Sequence, residues 1–209
     1  MTGYHALLLT GGPPPSGTGP LPTSDIVVAA DRGADHASLL GLVPDLVVGD
    51  MDSGDPSVLA SLEASGIRVE RHPADKNETD LELALTAAAE MGATSVTVVA
   101  TAAGRPDHAL ANLLTAASDR WKDLRIDFIL DSSRAWVLRD QLNLYLPAGS
   151  IVSLMAVGGP VAGITTSGLY WPLLDGLLEP GAGRGLSNEV SASPAAITVS
   201  TGTLLVIAP

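Results

Sequence analysis

Pro44-Asp45-Leu46-Val47-Val48-Gly49-Asp50-Met51-Asp52-Ser53 carries a short aliphatic run straight into a pair of carboxylates. An apolar run of strand length that ends abruptly in acids is the signature of a buried parallel strand whose carboxyl end opens on a ligand crevice. Working outward, the same pattern recurs. Ile26–Ala30 leads into Asp31-Arg32-Gly33, Ile67–Arg71 into Asp75-Lys76-Asn77-Glu78-Thr79-Asp80, and Ser95–Ala100 into Gly104-Arg105-Pro106-Asp107-His108. Further strands are expected at Tyr4–Thr10 and Arg125–Leu130. Helical patterns at Gly33–Leu40, Pro56–Ser65, Thr79–Met91 and His108–Trp121 lie between them. Strand and helix in alternation predict an α/β domain over residues 1–132, an open and mostly parallel sheet flanked by helices.

Beyond Ser133 the helical periodicity stops. Short β-type runs follow at Ala135–Leu138, Asn143–Leu146, Ile151–Ala156, Gly163–Thr166, Ile197–Ser200 and Leu204–Ile207. They predict a second, all-β domain over residues 133–209, packed as a sandwich or flattened barrel. Thr10–Ser24, rich in Gly and Pro, is expected to be a flexible loop after the first strand.

Composition narrows the function. Hydrophobic residues make up 46% of the chain but aromatics only 3%, which favours helix-on-sheet packing of small side chains and leaves few platforms for stacking nucleobases. The formal charge of −12, from eleven Lys and Arg against twenty-three Asp and Glu, repels a phosphate backbone, so nucleic acid is not an expected partner. With no cysteine there is no disulfide, thiolate metal site or thiol nucleophile, in keeping with a reducing compartment. The opening residues show no charged leader, and no apolar run reaches membrane-spanning length, so a cytoplasmic protein is expected.

The acidic turns suggest chemistry. Two carboxylates two residues apart project to one face of an extended segment, and Asp50 and Asp52 have that spacing. Mg²⁺ takes one or two protein carboxylates together with phosphate oxygens and water, so these turns suit a metal-bound nucleotide. The alternative is turn chemistry alone, with Asp52 or Ser53 capping a helix. Asp80 sits at a helix start that the macrodipole favours for any acid, in a capping box formed by Thr79 and Glu82. Lys76 and Arg105 stand among the acids where a polyphosphate needs cations, and a guanidinium grips phosphate oxygens with two parallel bonds. Asp107 as a helix N-cap, with His108 in the first turn, is the structural alternative there.

In order along the chain these motifs resemble the thiamin pyrophosphokinase family. Its pattern runs DGGAN, P-D-x-(I/V)-x-G-D-x-D-S, D-K-x-x-T-D and G-G-R-x-D-H, matched here at 31–35, 44–53, 75–80 and 103–108. In the second half Gly168-Leu169-Tyr170-Trp171-Pro172-Leu173 resembles G-L-K-Y-P-L, Leu186-Ser187-Asn188-Glu189 resembles (I/L)-S-N-E, and Gly202–Ile207 resembles the terminal G-x-L-L-V-I. The resemblance implies transfer of pyrophosphate from ATP to the hydroxyl of thiamine with Mg²⁺, by a homodimer with shared active sites. It implies that Asp50, Asp52 and Asp80 hold the metal. Lys76 and Arg105 would meet the phosphates, and Asp31, Asp107 and His108 would line the cleft. Trp171, Ser187 and Asn188 would contact thiamine from the other subunit.

Arg32 replaces a glycine of the family pattern, Asp35 an asparagine and Ala103 a glycine, while Glu78 stands where a second lysine is common. Two other readings remain open at this stage. One is a pyrophosphokinase for another hydroxymethyl heterocycle such as a pterin. The other is a silent nucleotide-binding regulatory module. A general base, if one is used, would be Asp107 or Asp80.

Overall fold

The computed structural model describes residues 3–209. The chain divides into two compact units, Met1–Thr115 with Asp123–Ser132, and Ala116–Lys122 with Ser133–Pro209. In the first, β1 (Tyr4–Leu9), β2 (Ile26–Ala30), β3 (Leu46–Gly49), β4 (Arg68–Arg71), β5 (Ala93–Ala100) and β6 (Arg125–Leu130) form a sheet ordered β4-β3-β2-β1-β5-β6. Each pairing among them is parallel. The chain builds outward from β1 to β4 on one side, then returns to lay β5 and β6 on the other. The strand order therefore reverses at β1, and a crevice opens beyond its carboxyl end.

The central strands are aliphatic because both faces are covered. Ala6 to Leu9, Val28 to Ala30, Leu46 to Val48 and Val98 to Ala100 are all buried. The helices are α1 (Gly33–Leu39), α2 (Pro56–Ala64), α3 (Asp80–Glu90) and α4 (Pro106–Ala117). Leu81, Ala84, Leu85, Ala87 and Ala88 form the buried stripe of α3, at the spacing of one helical face. The expected capping box is present. Thr79 Oγ1 accepts from the Glu82 amide at 3.2 Å, and Glu82 Oε2 accepts from the Thr79 amide at 2.9 Å.

Helix α4 departs from expectation. It starts two residues earlier than the apolar pattern suggests, because Pro106 is pre-set for the first helical position. Asp107 is consequently inside the first turn and is not the N-cap. The helix stops at Ala117, where Arg139 Nη2 donates to the carbonyls of Ala117 and Ser118, both at 2.9 Å, and Asp119–Trp121 forms a separate 3₁₀ turn.

The second unit is antiparallel. β7 (Ser133–Leu138), β13 (Thr201–Ala208), β9 (Ile151–Ser167), β12 (Ala195–Thr198) and β8 (Gln141–Leu144) pair in that order. β10 (Gly176–Leu178) and β11 (Asn188–Glu189) add to β9. The two strands expected at 151–156 and 163–166 are thus one continuous strand. Gly158 and Gly163 adopt positive φ within β9, which pairs β13 over its first part and β12 at its end. A single bent strand so joins both small sheets around a core of Leu144, Leu154, Ile164, Leu178, Ile197 and Leu204.

Gly33 shows how tightly the first unit is assembled. A Cβ built on it would collide with the carbonyl oxygen of Leu9, so α1 begins in direct contact with the β1 backbone. Gly33→Ala is expected to lower stability by about 1–3 kcal/mol through overpacking, read as a lower urea midpoint with an unchanged slope.

Candidate active site

The turn after β3 brings its acids together by a route other than strand alternation. Asp50 lies just past the strand, Met51 adopts φ +63°, and the Asp52 amide donates to Asp50 Oδ1 at 3.2 Å in a tight Asx turn. Asp31, at φ +49°, occupies the equivalent turn after β2, where its amide donates to the Val48 carbonyl at 2.8 Å. Gly49 permits that approach, since a Cβ there would stand 3.0 Å from the Asp31 Cβ. Carboxylate oxygens of Asp31, Asp50 and Asp52 consequently lie within 4.8 Å of one another. Ser53 Oγ donates to Asp31 Oδ2, while Asp31 Oδ1 is buried with no hydrogen-bond partner among the described residues. The Asp50 charge, aided by Asp31 and Asp80, raises the Asp52 carboxyl above its ordinary value.

Asp80 stands beside this trio and is engaged differently. Lys76 Nζ lies 2.9 Å from Asp80 Oδ1 and 3.8 Å from Asp50 Oδ2. Burial works against the Lys76 charge, but the hydrogen bond and charge of Asp80, with those of Asp50 and Asp31, outweigh it and hold the ammonium above the usual lysine value. On the β5–α4 turn, Arg105 Nε and Nη2 reach the two oxygens of Asp107 at 3.2 and 2.6 Å. That fork draws the exposed Asp107 carboxyl down to about 2.

Two departures from the family pattern answer each other. Arg32 Nε is 3.7 Å from Asp35 Oδ2, and both Asp35 oxygens accept from the Asp55 amide at 3.1 Å. Arg32 is thereby turned along α1. Ala103 keeps its turn through an amide bond of 3.0 Å to Thr101 Oγ1, and Glu78 is exposed.

A cleft of about 630 Å³, within the range of small-molecule sites, opens over these turns. Thr10, Gly12, Asp31, Asp80, Arg105 and His108 are among its lining residues. Sequence reasoning passed over Asp131, which also follows a strand directly and accepts bonds from Ser16 and Ala102. The strand-then-acid pattern that marked the other turns was its available signal.

In the second unit Asn188 is buried, and both its side-chain oxygen and its side-chain nitrogen bond to backbone. Oδ1 accepts from the amides of Trp171 at 3.1 Å and Glu189 at 2.8 Å, and Nδ2 donates to the Trp171 carbonyl at 2.8 Å. Asn188 therefore clamps the Trp171 backbone. Trp171 remains 58% exposed, with the Tyr170 ring edge-on to its own at a centroid distance of 4.8 Å. Ser187 is exposed at φ +55°, its amide bonded to Ser153 Oγ at 3.1 Å.

An open parallel sheet with an acidic crevice at its carboxyl edge, followed by a β-sandwich, is an architecture shared with a family of two-domain transferases. The profile of the thiamin pyrophosphokinase catalytic domain matches residues 21–128, and that of the thiamin pyrophosphokinase vitamin B1 binding domain matches residues 140–206. The chain belongs to the thiamin pyrophosphokinase family, and it transfers pyrophosphate from ATP to thiamine, forming thiamin diphosphate and AMP. Among similar proteins, thiamine pyrophosphokinase of Bacillus subtilis (strain 168) is 23% identical over 211 residues, 96% of each chain. Thiamine pyrophosphokinase 2 of Arabidopsis thaliana is 30% identical over 141 residues, 62% of this chain and 52% of that one. The Bacillus subtilis enzyme structure shares the fold at a TM-score of 0.82 and 22% identity over 98% of both chains. That of Geobacillus thermodenitrificans gives 0.75 and 27%, over 98% of this chain and 96% of its own. The vitamin B1 match over the second unit disfavours a pterin as acceptor, and the catalytic-domain match disfavours a silent regulatory module.

The Arg105 fork has a direct spectroscopic signature. Carboxyl ¹³C titration should place Asp107 near 2 in the wild type and return it toward the ordinary carboxylate range in Arg105→Ala. With its pKa depressed in the folded protein, Asp107 contributes stability present above the unfolded value and lost as pH falls toward 2. Arg105→Ala should remove that acid-limb dependence.

Proposed function

We propose that the cleft above β1 binds ATP as its Mg²⁺ complex, with Asp31, Asp50 and Asp52 as metal ligands and Lys76, Arg105 and His108 facing the phosphates. The observation that carries this reading is the carboxylate trio, in which a buried Asp31 oxygen is left without a partner and Asp52 is pushed toward protonation by its neighbours. A hard divalent cation satisfies both conditions, and oxygen-only donors suit Mg²⁺. Bound there, the cation would neutralise charge on the polyphosphate. Asp80 would act beside it, through Lys76 and as a further ligand.

In the reaction the thiamine hydroxyl oxygen bonds to the β-phosphorus. The bond from that phosphorus to the oxygen bridging to the α-phosphate breaks, and AMP leaves with the bridging oxygen. The hydroxyl proton passes to solvent. Alignment and charge stabilisation carry such a transfer, and no covalent intermediate is required. Asp107 has both oxygens committed to Arg105 and a depressed pKa, which suits it to aiming the guanidinium and makes it a poor proton acceptor.

The thiamine side is assigned to the second unit, where the exposed Trp171 ring offers a face to a cationic heterocycle. By resemblance to its family the protein works as a homodimer, with Trp171 and Ser187 of one subunit serving the cleft of the other and Asn188 holding Trp171 in place. A cytoplasmic location accords with the absence of cysteine, and no helix among the described residues is long and apolar enough to cross a membrane.

Two measurements test these assignments. Asp50→Asn and Asp52→Asn should each cut thiamine-dependent AMP formation by about a hundredfold or more at limiting Mg²⁺, with thermal melts unchanged. Wild-type rates in both would remove the metal assignment. Mixing inactive Asp50→Asn with inactive Trp171→Ala should restore about a quarter of wild-type activity, since half of the dimers are mixed and each holds one intact site. No recovery after subunit exchange would refute the shared site.

A further inference from the structure

The segment after β1, expected to be a free loop, is tied down at a point remote in sequence. Asp131, at φ +56° just past β6, accepts from the Ser16 amide through Oδ1 at 3.0 Å. Its Oδ2 accepts from the Ala102 amide at 2.9 Å and from Thr101 Oγ1 at 3.0 Å. Thr101 Oγ1 in turn accepts from the Ala103 amide at 3.0 Å. One carboxylate thus joins the loop after β1 to the turn after β5. The two also pack directly: a Cβ at Gly104 would stand 2.9 Å from Pro13 Cγ, and one at Gly12 would stand 3.4 Å from Thr101 Cγ2. Gly104, at φ +83°, has no room for a side chain under Pro13.

Both joined segments form cleft wall. Gly11, Gly12 and Pro13 contribute on one side, and Thr101, Ala103, Gly104 and Arg105 on the other. Burial opposes ionisation of Asp131, but the bonds from Ser16, Ala102 and Thr101 outweigh it and lower its pKa, so it holds both segments as a carboxylate. Ser16 and Asp131 both lie outside the 21–128 span of the catalytic-domain match.

We infer that Asp131 is a positioning residue for the phosphate donor: it straps residues 12–17 onto the β5–α4 turn and so presets the wall of the cleft from which Arg105 acts on ATP. The inference rests on placing ATP in this cleft. The carboxylate touches no reacting atom. Its effect passes through the backbone of residues 101–104, which carries the guanidinium, and through Pro13 above it.

The test uses the full-length protein. In Asp131→Asn one of the two acceptor positions becomes a donor, so the bond to the loop or the bonds to the turn must be lost. Amide hydrogen exchange should accelerate at least about tenfold at Ser16 or at Ala102, according to which bond is lost, the KM for ATP should rise about tenfold, and the KM for thiamine should stay within about twofold. Thr101→Val removes one donor to the carboxylate without changing side-chain size. It should raise the KM for ATP about threefold while leaving Ser16 protected. If a thermal melt shows Asp131→Asn to be unfolded, Thr101→Val decides. Fast exchange at Ser16 and Ala102 in the wild type would overturn the strap. Accelerated exchange with an unchanged KM for ATP, or equal rises for ATP and thiamine, would reduce Asp131 to a structural role and overturn the inference. Arg105→Ala separates the two readings: an unchanged KM for ATP there faults the location of ATP, whereas the exchange data report on the strap alone.

Discussion

The parallel sense of six consecutive strands constrains everything else in the N-terminal unit. Parallel strands leave their carboxyl ends on one edge, and the chain places an aspartate immediately after β2, β3 and β6. Elsewhere on a surface these acids would be far apart and solvated. At this edge Asp31, Asp50 and Asp52 share a few ångströms, and the local structure is what keeps them there against their repulsion. Positive φ at Asp31 and Met51, the missing Cβ at Gly49 and the bond from Ser53 all serve that convergence.

The cations of the crevice are committed to acids in the free protein. Lys76 answers Asp80 and Asp50, and Arg105 answers Asp107. These pairs differ in consequence. The Lys76 ammonium is a point charge shared between two carboxylates. Arg105 is fixed in direction by a bidentate partner, which leaves the rest of its fork available and already aimed. With ATP placed as proposed, such preorganisation would reduce the rearrangement needed for a reaction governed by alignment and charge.

In the β-sandwich the constraint is continuity. β9 runs through seventeen residues and pairs four partners, with glycines supplying its bends. Asn188 then uses its side-chain oxygen and one of its two N–H donors on the backbone around Trp171. The exposed aromatic pair Tyr170 and Trp171 is therefore presented by a rigid support.

Much of this was legible in the sequence. The runs Ile26–Ala30 and Arg125–Leu130 coincide with β2 and β6 to the residue, and Thr79 and Glu82 announced the start of α3 because a capping box is a local interaction. The ordered motifs identified the family and the reaction. What the tertiary structure decided were the facts that depend on residues distant along the chain. Asp31 joins Asp50 and Asp52 because neighbouring parallel strands end together. β9 is one strand because β13 and β12 pair its two ends in succession. Asn188 turns inward because the backbone at 171 needs its amide. Asp131 reaches Ser16 across 115 positions of sequence. Local patterns record propensity and capping, where each partner lies within a turn of the other; a bond between remote residues leaves no periodicity and exists only once the sheet has set its strands side by side.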